Sequence, residues 1–351
     1  MNICFVTDPW ENLKPETDST LRLISEAVTR GHTVALLNPR TLTVRGNIMY
    51  GLFDKFEKVE KPFDRIATFY AKSKFKTQRL PVKGFEVMVL RKDPPLDWTM
   101  LNFLDSIKDD TWIINDVDGL RSCSTKLYLT TFEDSHEFIP DTHVSKDIDY
   151  LYNAIEESKS EKLILKPLDG FGGSGVILLE KSAMTNVRSL LDFYIGGSDQ
   201  KNYVIIQEFV EGAEEGDVRI FMLNGEPLGA MKRVPAKGDI RSNVHAGGQV
   251  EKHSLTKKEK EICRIVGPKL IADGLHMAGL DLIKGKLIEI NVVSPGGIVN
   301  INRLNKVRID KKILDFIEYR YQKRESAFMR KQEFKREVSE VSLTDGKKKI
   351  H

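Results

Sequence analysis

Cysteine is scarce in this chain: three in 351 residues, Cys4, Cys123 and Cys263, far apart and without metal-ligand spacing. That count excludes a disulfide framework and points to a reducing compartment, with each thiol acting as a small buried apolar group. There is no run of about 18 apolar residues, so no membrane-spanning helix is expected. The opening "MNICFVTDPW" reads as a first strand and a turn, without the basic and apolar segments of a secretory signal. A cytoplasmic location is therefore expected. Charge of one sign is also nearly absent. The formal net charge is +3, and it is local: residues 318–351 hold ten Lys/Arg against six Asp/Glu, which leaves the remaining body near −1. No nucleic-acid partner is expected from such a balance, and a basic tail of this kind reads as a solvated extension. A convincing Ser/His or Cys/His pair for nucleophilic catalysis is missing as well.

The chain is long for one core and reads as two or three packed subdomains. The first third alternates strand and helix. "NICFVTD" is a strand, "TDSTLRLISEAVTRG" a helix opening near Asp18 to Thr20 and closing at Gly31, and "HTVALLN" the next strand. This rhythm predicts an α/β domain with a parallel sheet over residues 1–120. "FEVMVLRKDPP" and "TWIIND" add strands, and residues 45–80 read as an irregular excursion. From about Glu161 the pattern becomes antiparallel: "KLILKPL", "GVILLE", "YVIIQEF" and "DVRIFMLNGEPLGAMKRV", with helices at 182–196 and 256–274. Residues 121–320 form the second unit, with a lid over about 145–210. Residues 321–351 are expected to fray into a basic, partly disordered tail.

"GLDLIKGKLIEINVVSP", Gly279 to Pro295, is an alternating run. Leu280, Leu282, Ile288, Ile290 and Val292 share one parity; Asp281, Glu289 and Asn291 share the other. A turn at Gly285 sets Asp281 opposite Glu289, with Asn291 two residues along on the same face. Two facing carboxylates repel, so a positive partner is expected between them. Two carboxylates and an amide oxygen suit Mg²⁺, which also takes phosphates and water. The alternative is a solvated strand face.

"LILKPLDGFGGSGVILLE" places Gly170, Gly172, Gly173, Ser174 and Gly175 between two strands, after Lys166-Pro167. Glycines let backbone N–H groups approach phosphate oxygens. The loop has no Gly-Lys-Ser/Thr ending and no helix after it, so it is neither a P-loop nor a dinucleotide fingerprint. It fits a nucleotide clamp, or else an ordinary hairpin loop. "YVIIQEFVEG", with Gln207, Glu208, Phe209 and Val210, could line an adenine pocket. Arg219 and Arg233 fall on strands, while Arg241 and Asn243 fall in a glycine-bounded loop able to close as a lid. His245 in that loop reads as an ordinary loop side chain.

"RKDPP", "LKPLDGFGGSG", "RSNVHAGG" and "AGLDLIKGKLIEINVVSP", in this order, resemble the bacterial glutathione synthetases over about residues 1–320. The resemblance implies an ATP-grasp fold and an ATP-dependent carboxylate–amine ligase joining γ-glutamylcysteine to glycine through an acyl phosphate. It implies ATP and Mg²⁺ (or Mn²⁺) as cofactors, no nucleic-acid or membrane partner, and a homo-oligomer, dimer or tetramer. By motif it assigns Lys126, Lys166 and the Gly172–Gly175 loop to the ATP phosphates. Gln207, Glu208, Phe209, Val210, Asp217 and Asn243 go to the nucleotide, and Asp281, Glu289 and Asn291 to the metal. Arg219, Arg233 and Arg241 are assigned to the transferring phosphoryl group, and Asp18, Ser19, Arg91, Ser294, Gly296 and Gly297 to the substrates. After "NVVSP" this chain reads "GGIVNIN", with Val299 and Asn300 where the family pattern has Arg and Glu. The same chemistry on another amino acid or peptide is the near alternative, and a nucleotide-binding protein without catalysis the distant one.

Overall fold

The computed structural model describes residues 1–58, 63, 65–133, 135–170, 172–199, 201–236 and 248–347. Its first sheet contains β1 (Asn2–Val6), β2 (Thr33–Leu37), β3 (Thr43–Arg45), β4 (Ile48–Phe56), β5 (Phe75–Pro81), β6 (Val87–Leu90) and β7 (Trp112–Ile114). The centre, β2-β1-β6-β7, is parallel, while β3, β4 and β5 extend it antiparallel. Residues 45–80 are therefore two paired strands and a helix, which corrects the expected irregular excursion. The period-2 signal in β4, with Met49 and Phe53 buried, is broken by Gly51, and its partner β5 is mostly polar and exposed.

Helices cover both faces of the parallel centre, so its strands are apolar on both faces. α1 (Ser19–Thr29) starts where the Asp18 carboxylate accepts from the Leu21 N–H at 2.8 Å. Its Leu21, Leu23, Ile24 and Ala27 face the sheet. α2 (Ile66–Lys72), α3 (Trp98–Asp105) and α4 (Val117–Cys123) follow.

The second sheet, ordered β10-β9-β11-β8, comprises β8 (Thr142–Ser145), β9 (Lys162–Pro167), β10 (Ile177–Glu180) and β11 (Val204–Glu208). It packs on α5 (Ile148–Glu157) and α6 (Val187–Ile195) through a separate small core of Leu151, Ile155, Leu163, Leu165, Leu191 and Ile206. The third sheet runs β14-β13-β12-β15-β16, all antiparallel, from β12 (Asp217–Leu223), β13 (Glu226–Val234), β14 (Gln249–Lys252), β15 (Met277–Ile283) and β16 (Lys286–Asn291). The even-numbered Val218, Ile220, Leu280 and Leu282 pack with Ile262, Val266 and Leu270 of α7 (Lys257–Ala272). On the opposite face Phe221, Leu223 and Met277 meet Ile298 and Ile301 of α8 (Ile298–Asn305). The other end of that face is polar. α9 (Ile309–Lys347) buries Ile309, Ile313, Leu314 and Ile317 against the N-terminal sheet and continues as helix past Arg324, where the sequence rhythm fades.

Candidate functional site

The site lies where the open face of the second sheet meets the polar end of the third. In β9, Leu163 and Leu165 point into the small core, so Ile164 and Lys166 point the other way. Lys126, Ile164, Lys166, Gln207, Asp217, Arg233, Asp281 and Glu289 all line one cleft there, with about 880 Å³ of empty space, part of it open to solvent. Gly170, Gly173 and Ser174 form one wall, and Glu208, Phe209 and Val210 form another. Gly172 and Gly175 shape the loop without lining the cleft. Their φ angles of +64° and +69° are ones that L side chains rarely adopt.

The hairpin forms as its parity dictates. Asp281 pairs with Glu289 and Gly279 with Asn291, and the turn has Gly285 at φ +72°. The Asn291 Nδ2 lies 3.0 Å from Asp281 Oδ2 and 3.5 Å from Glu289 Oε2. Two arginines pair with Asp281, whereas Glu289 has only Lys126 within 4 Å among the described cations. Arg219, opposite Asp281 across β12 and β15, holds both of its oxygens, with Nη2 donating to Oδ2 at 2.8 Å. Arg233 is bidentate on Asp217, at 2.6 and 2.5 Å, and reaches Asp281 Oδ2 at 3.0 Å. All four side chains are buried. Burial alone would raise the Asp281 carboxyl, but Arg219 and Arg233 hold it below the usual carboxylate range.

Two lysines complete the charge pattern. Lys166 donates to Gln207 Oε1 at 2.9 Å, and burial pushes its ammonium down to about 8 against the pull of Glu289. Lys126 donates to the carbonyls of Leu168 and Gly170 and stands 3.9 Å from Glu289 Oε1. Burial lowers it too, with Glu289 and Asp169 opposing. A cleft lined by two desolvated ammonium groups, Arg233 and the carboxylates of Asp217, Asp281 and Glu289 is suited to a polyphosphate and a hard cation.

The N-terminal portion, residues 1–121, matches the model of the prokaryotic glutathione synthetase N-terminal domain. Residues 125–306 match that of the prokaryotic glutathione synthetase ATP-grasp domain. The chain belongs to the prokaryotic glutathione synthetase family. A glutathione synthetase of Bradyrhizobium diazoefficiens is 36% identical over 91% of this chain and 98% of its own length. One from Synechocystis is 33% identical over 92% of this chain and 100% of its own. Among solved structures, D-cycloserine synthetase DcsG superposes with a TM-score of 0.59 at 16% identity, covering 84% of this chain and 92% of its own. The ATP-grasp ligase PsnB, complexed with a phosphomimetic variant of its minimal precursor, Mg and ADP, gives a TM-score of 0.58 at 16% identity over 91% and 98%. At these identities the structural likeness speaks for the fold, which is ATP-grasp.

The residues assigned to substrates gather in a second cluster beside the cleft. Ser19 Oγ accepts from the N–H groups of Gly297 and Ile298, both at 3.1 Å. Arg91 is buried and donates to Thr20 Oγ1 and the Pro295 carbonyl, each at 3.0 Å, while Ser294 donates to the Arg91 carbonyl. Asp18 caps α1, and its carboxyl is raised by burial against the Leu21 N–H and Arg91. Gly296 has open space around its Cα. Arg241 and Asn243 lie outside the described residues. Sequence reading passed over the walls Ile164, Val176, Ala213, Ile283 and Ile288, and Thr20 beside Arg91. The alternation of β9 around Lys166 was the available signal for Ile164.

Proposed function

We propose that this chain joins γ-glutamylcysteine to glycine at the expense of ATP, yielding glutathione, ADP and phosphate. The observation that supports this most is the convergence of Lys126, Lys166, Arg233, Asp281 and Glu289 in one cleft, with Arg219 paired to Asp281, beside a cluster built on Ser19, Arg91 and Ser294. In this reading Lys126 and Lys166 hold the ATP phosphates and the glycine loop covers them. The peptide carboxylate attacks the γ-phosphorus and ADP leaves. The glycine amine then attacks the acyl carbon, loses a proton, and phosphate departs. Arg219 and Arg233 face the charge that moves.

The donor set fits Mg²⁺. In support, the Asn291 amide lies within reach of both carboxylates, and two carboxylates with an amide whose O and N can exchange places are the hard donors Mg²⁺ takes. These three would hold the ion, which neutralises charge on the phosphoryl group when bound. Cytoplasmic location and homo-oligomeric assembly belong to the same reading. No helix among the described residues is long and apolar enough to cross a membrane.

A second reading rests on "GGIVNIN". It forms the start of α8, whose first turn, Ile298 to Ile301, carries no charged side chain, and Val299 is buried. The same chemistry on a different acceptor or donor follows if that turn faces the substrate. Phosphate release from Mg-ATP with γ-glutamylcysteine, scanned over the twenty amino acids, separates the two. Release peaking with glycine, with glutathione as product, supports the first reading. A peak with another amino acid, or only with another peptide, replaces it by the second.

A further inference from the structure

Asn115 lies one residue beyond β7 in the N-terminal sheet, yet its side chain is committed to the third sheet. Its Nδ2 donates to the carbonyls of Met277 at 2.7 Å and Val292 at 2.9 Å, and its Oδ1 accepts from the Met277 N–H at 2.7 Å. It is 3% exposed. Met277 opens β15, and Val292 follows Asn291, the last residue of β16. Backbone pairing between these strands ends at Gly279 opposite Asn291. The Asn115 amide therefore takes over where the ladder stops and satisfies three backbone groups, each costly to leave buried and unpaired. Beside it the Asp116 N–H donates to the Gly274 carbonyl at 3.1 Å.

We propose that Asn115 is a positioning residue for the metal end of the cleft, a proposal that rests on Asp281, Glu289 and Asn291 being the metal ligands. β16 is the edge strand and its pairing with β15 stops at Gly279 and Asn291, so beyond that point only other contacts keep its end from splaying. Here that end carries Asn291 directly before Val292, and Asp281 on the strand that Met277 begins. Asn115 fixes the two strands to each other and to the N-terminal sheet, so that the Asn291 amide and the Asp281 carboxylate stay in register. A purely structural role would lower the melting temperature and leave metal affinity in the folded protein unchanged. A positioning role moves the affinity itself.

The test uses the full chain and its Asn115→Ser variant, which keeps one donor. Mn²⁺ binding in the presence of ADP is read by electron paramagnetic resonance of the free ion, alongside steady-state kinetics. Folded Asn115→Ser should bind Mn²⁺ about tenfold more weakly, the lower end of the range for removal of a direct partner of a ligand, because Asn115 acts on the ligands only through the backbone of Met277 and Val292. KM for Mg-ATP should rise while KM for γ-glutamylcysteine changes little. A folded variant with wild-type Mn²⁺ affinity overturns the proposal. Glu289→Gln serves as the control. If it binds Mn²⁺ as the wild-type chain does, the ligand assignment itself falls, and the Glu289 variant reports that separately. Should Asn115→Ser not fold, hydrogen exchange on the unaltered chain decides. The Met277 amide, which donates to Asn115 Oδ1, already protected before metal is added supports the pre-set end of the hairpin, and protection that arises only on loading with Mn²⁺ and ADP overturns it.

Discussion

Glu289 and Lys166 are the residues on which the proposed chemistry is most exposed to test. Glu289 is the least encumbered of the carboxylates, since both oxygens of Asp281 are taken by arginines and those of Asp217 by Arg233. Glu289→Gln keeps the shape and removes the charge. Turnover of Mg-ATP should fall about 100-fold or more, the loss of several kcal/mol of charge stabilisation, with an unchanged circular dichroism spectrum. Full activity in that variant would reject the metal assignment. Lys166 has its ammonium depressed by burial to about 8 from the ordinary 10.5. Between these values the unfolded chain binds more protons than the folded one, so this group's contribution to stability rises with pH across the window. Nucleotide binding runs the other way, because phosphate needs the ammonium charged. The Kd for ATP should be flat up to about pH 8 and weaken above it, by up to about tenfold per pH unit. Calorimetric titration from pH 7 to 9.5 checks this, and a flat profile would remove Lys166 from the phosphate site.

Among the elements, α9 divides into two parts with different consequences. Ile309, Ile313, Leu314 and Ile317 are buried against α1 and the N-terminal sheet, and Arg30 ties Asp315 and Glu318 to α1 with ion pairs at 2.8 and 2.9 Å. Further on, Phe328, Met329, Phe334 and Val338 are all more than half exposed. Ile313→Ala should destabilise the chain by about 2–5 kcal/mol, the cost of a cavity at a fully buried site, in a urea titration. Deleting residues 330–351 should leave kcat and KM within about twofold, because the exposed stretch adds little buried area. A large loss of activity in the truncated chain would show that the tail is part of the enzyme.

Across the whole molecule, the two matched regions meet near residue 121, but the hydrophobic cores do not divide there. Cys4, Val6, Met88 and Ile113 of the first sheet share one cluster with Val218, Ile220 and Leu280 of the third. Ile3, Phe5 and Trp112 share another with Phe221, Met277 and Ile313. Among the described residues, only the second sheet has a core of its own. A fragment of residues 1–121 should therefore lack dispersed amide signals in a nuclear magnetic resonance spectrum, because apolar residues on both of its faces are covered by the rest of the chain. A well-folded fragment would show that the shared clusters are not needed.

Much of this was readable from the linear chain, and the reason is local. The pairing of Asp281 with Glu289 follows from strand parity and a turn glycine, the α1 cap from Asp18, and the loop between β9 and β10 from its glycines, since each depends on neighbours within one or two elements. Residues 45–80 were misread because the partners β4 and β5 lie about twenty residues apart and one of them is polar. Contacts between distant segments left no local trace. Arg219 and Arg233 could be placed on strands, but not on Asp281 and Asp217. Asn115 looked like the end of a strand, and its hold on Met277 and Val292 spans more than 160 residues. The sequence by itself determined the elements, their faces and the kind of chemistry available, because periodicity and residue type act along the chain. Which charge neutralises which, and what holds the β15–β16 hairpin at its open end, only the tertiary structure decided, because those pairings exist only once three sheets have packed and excluded water between them.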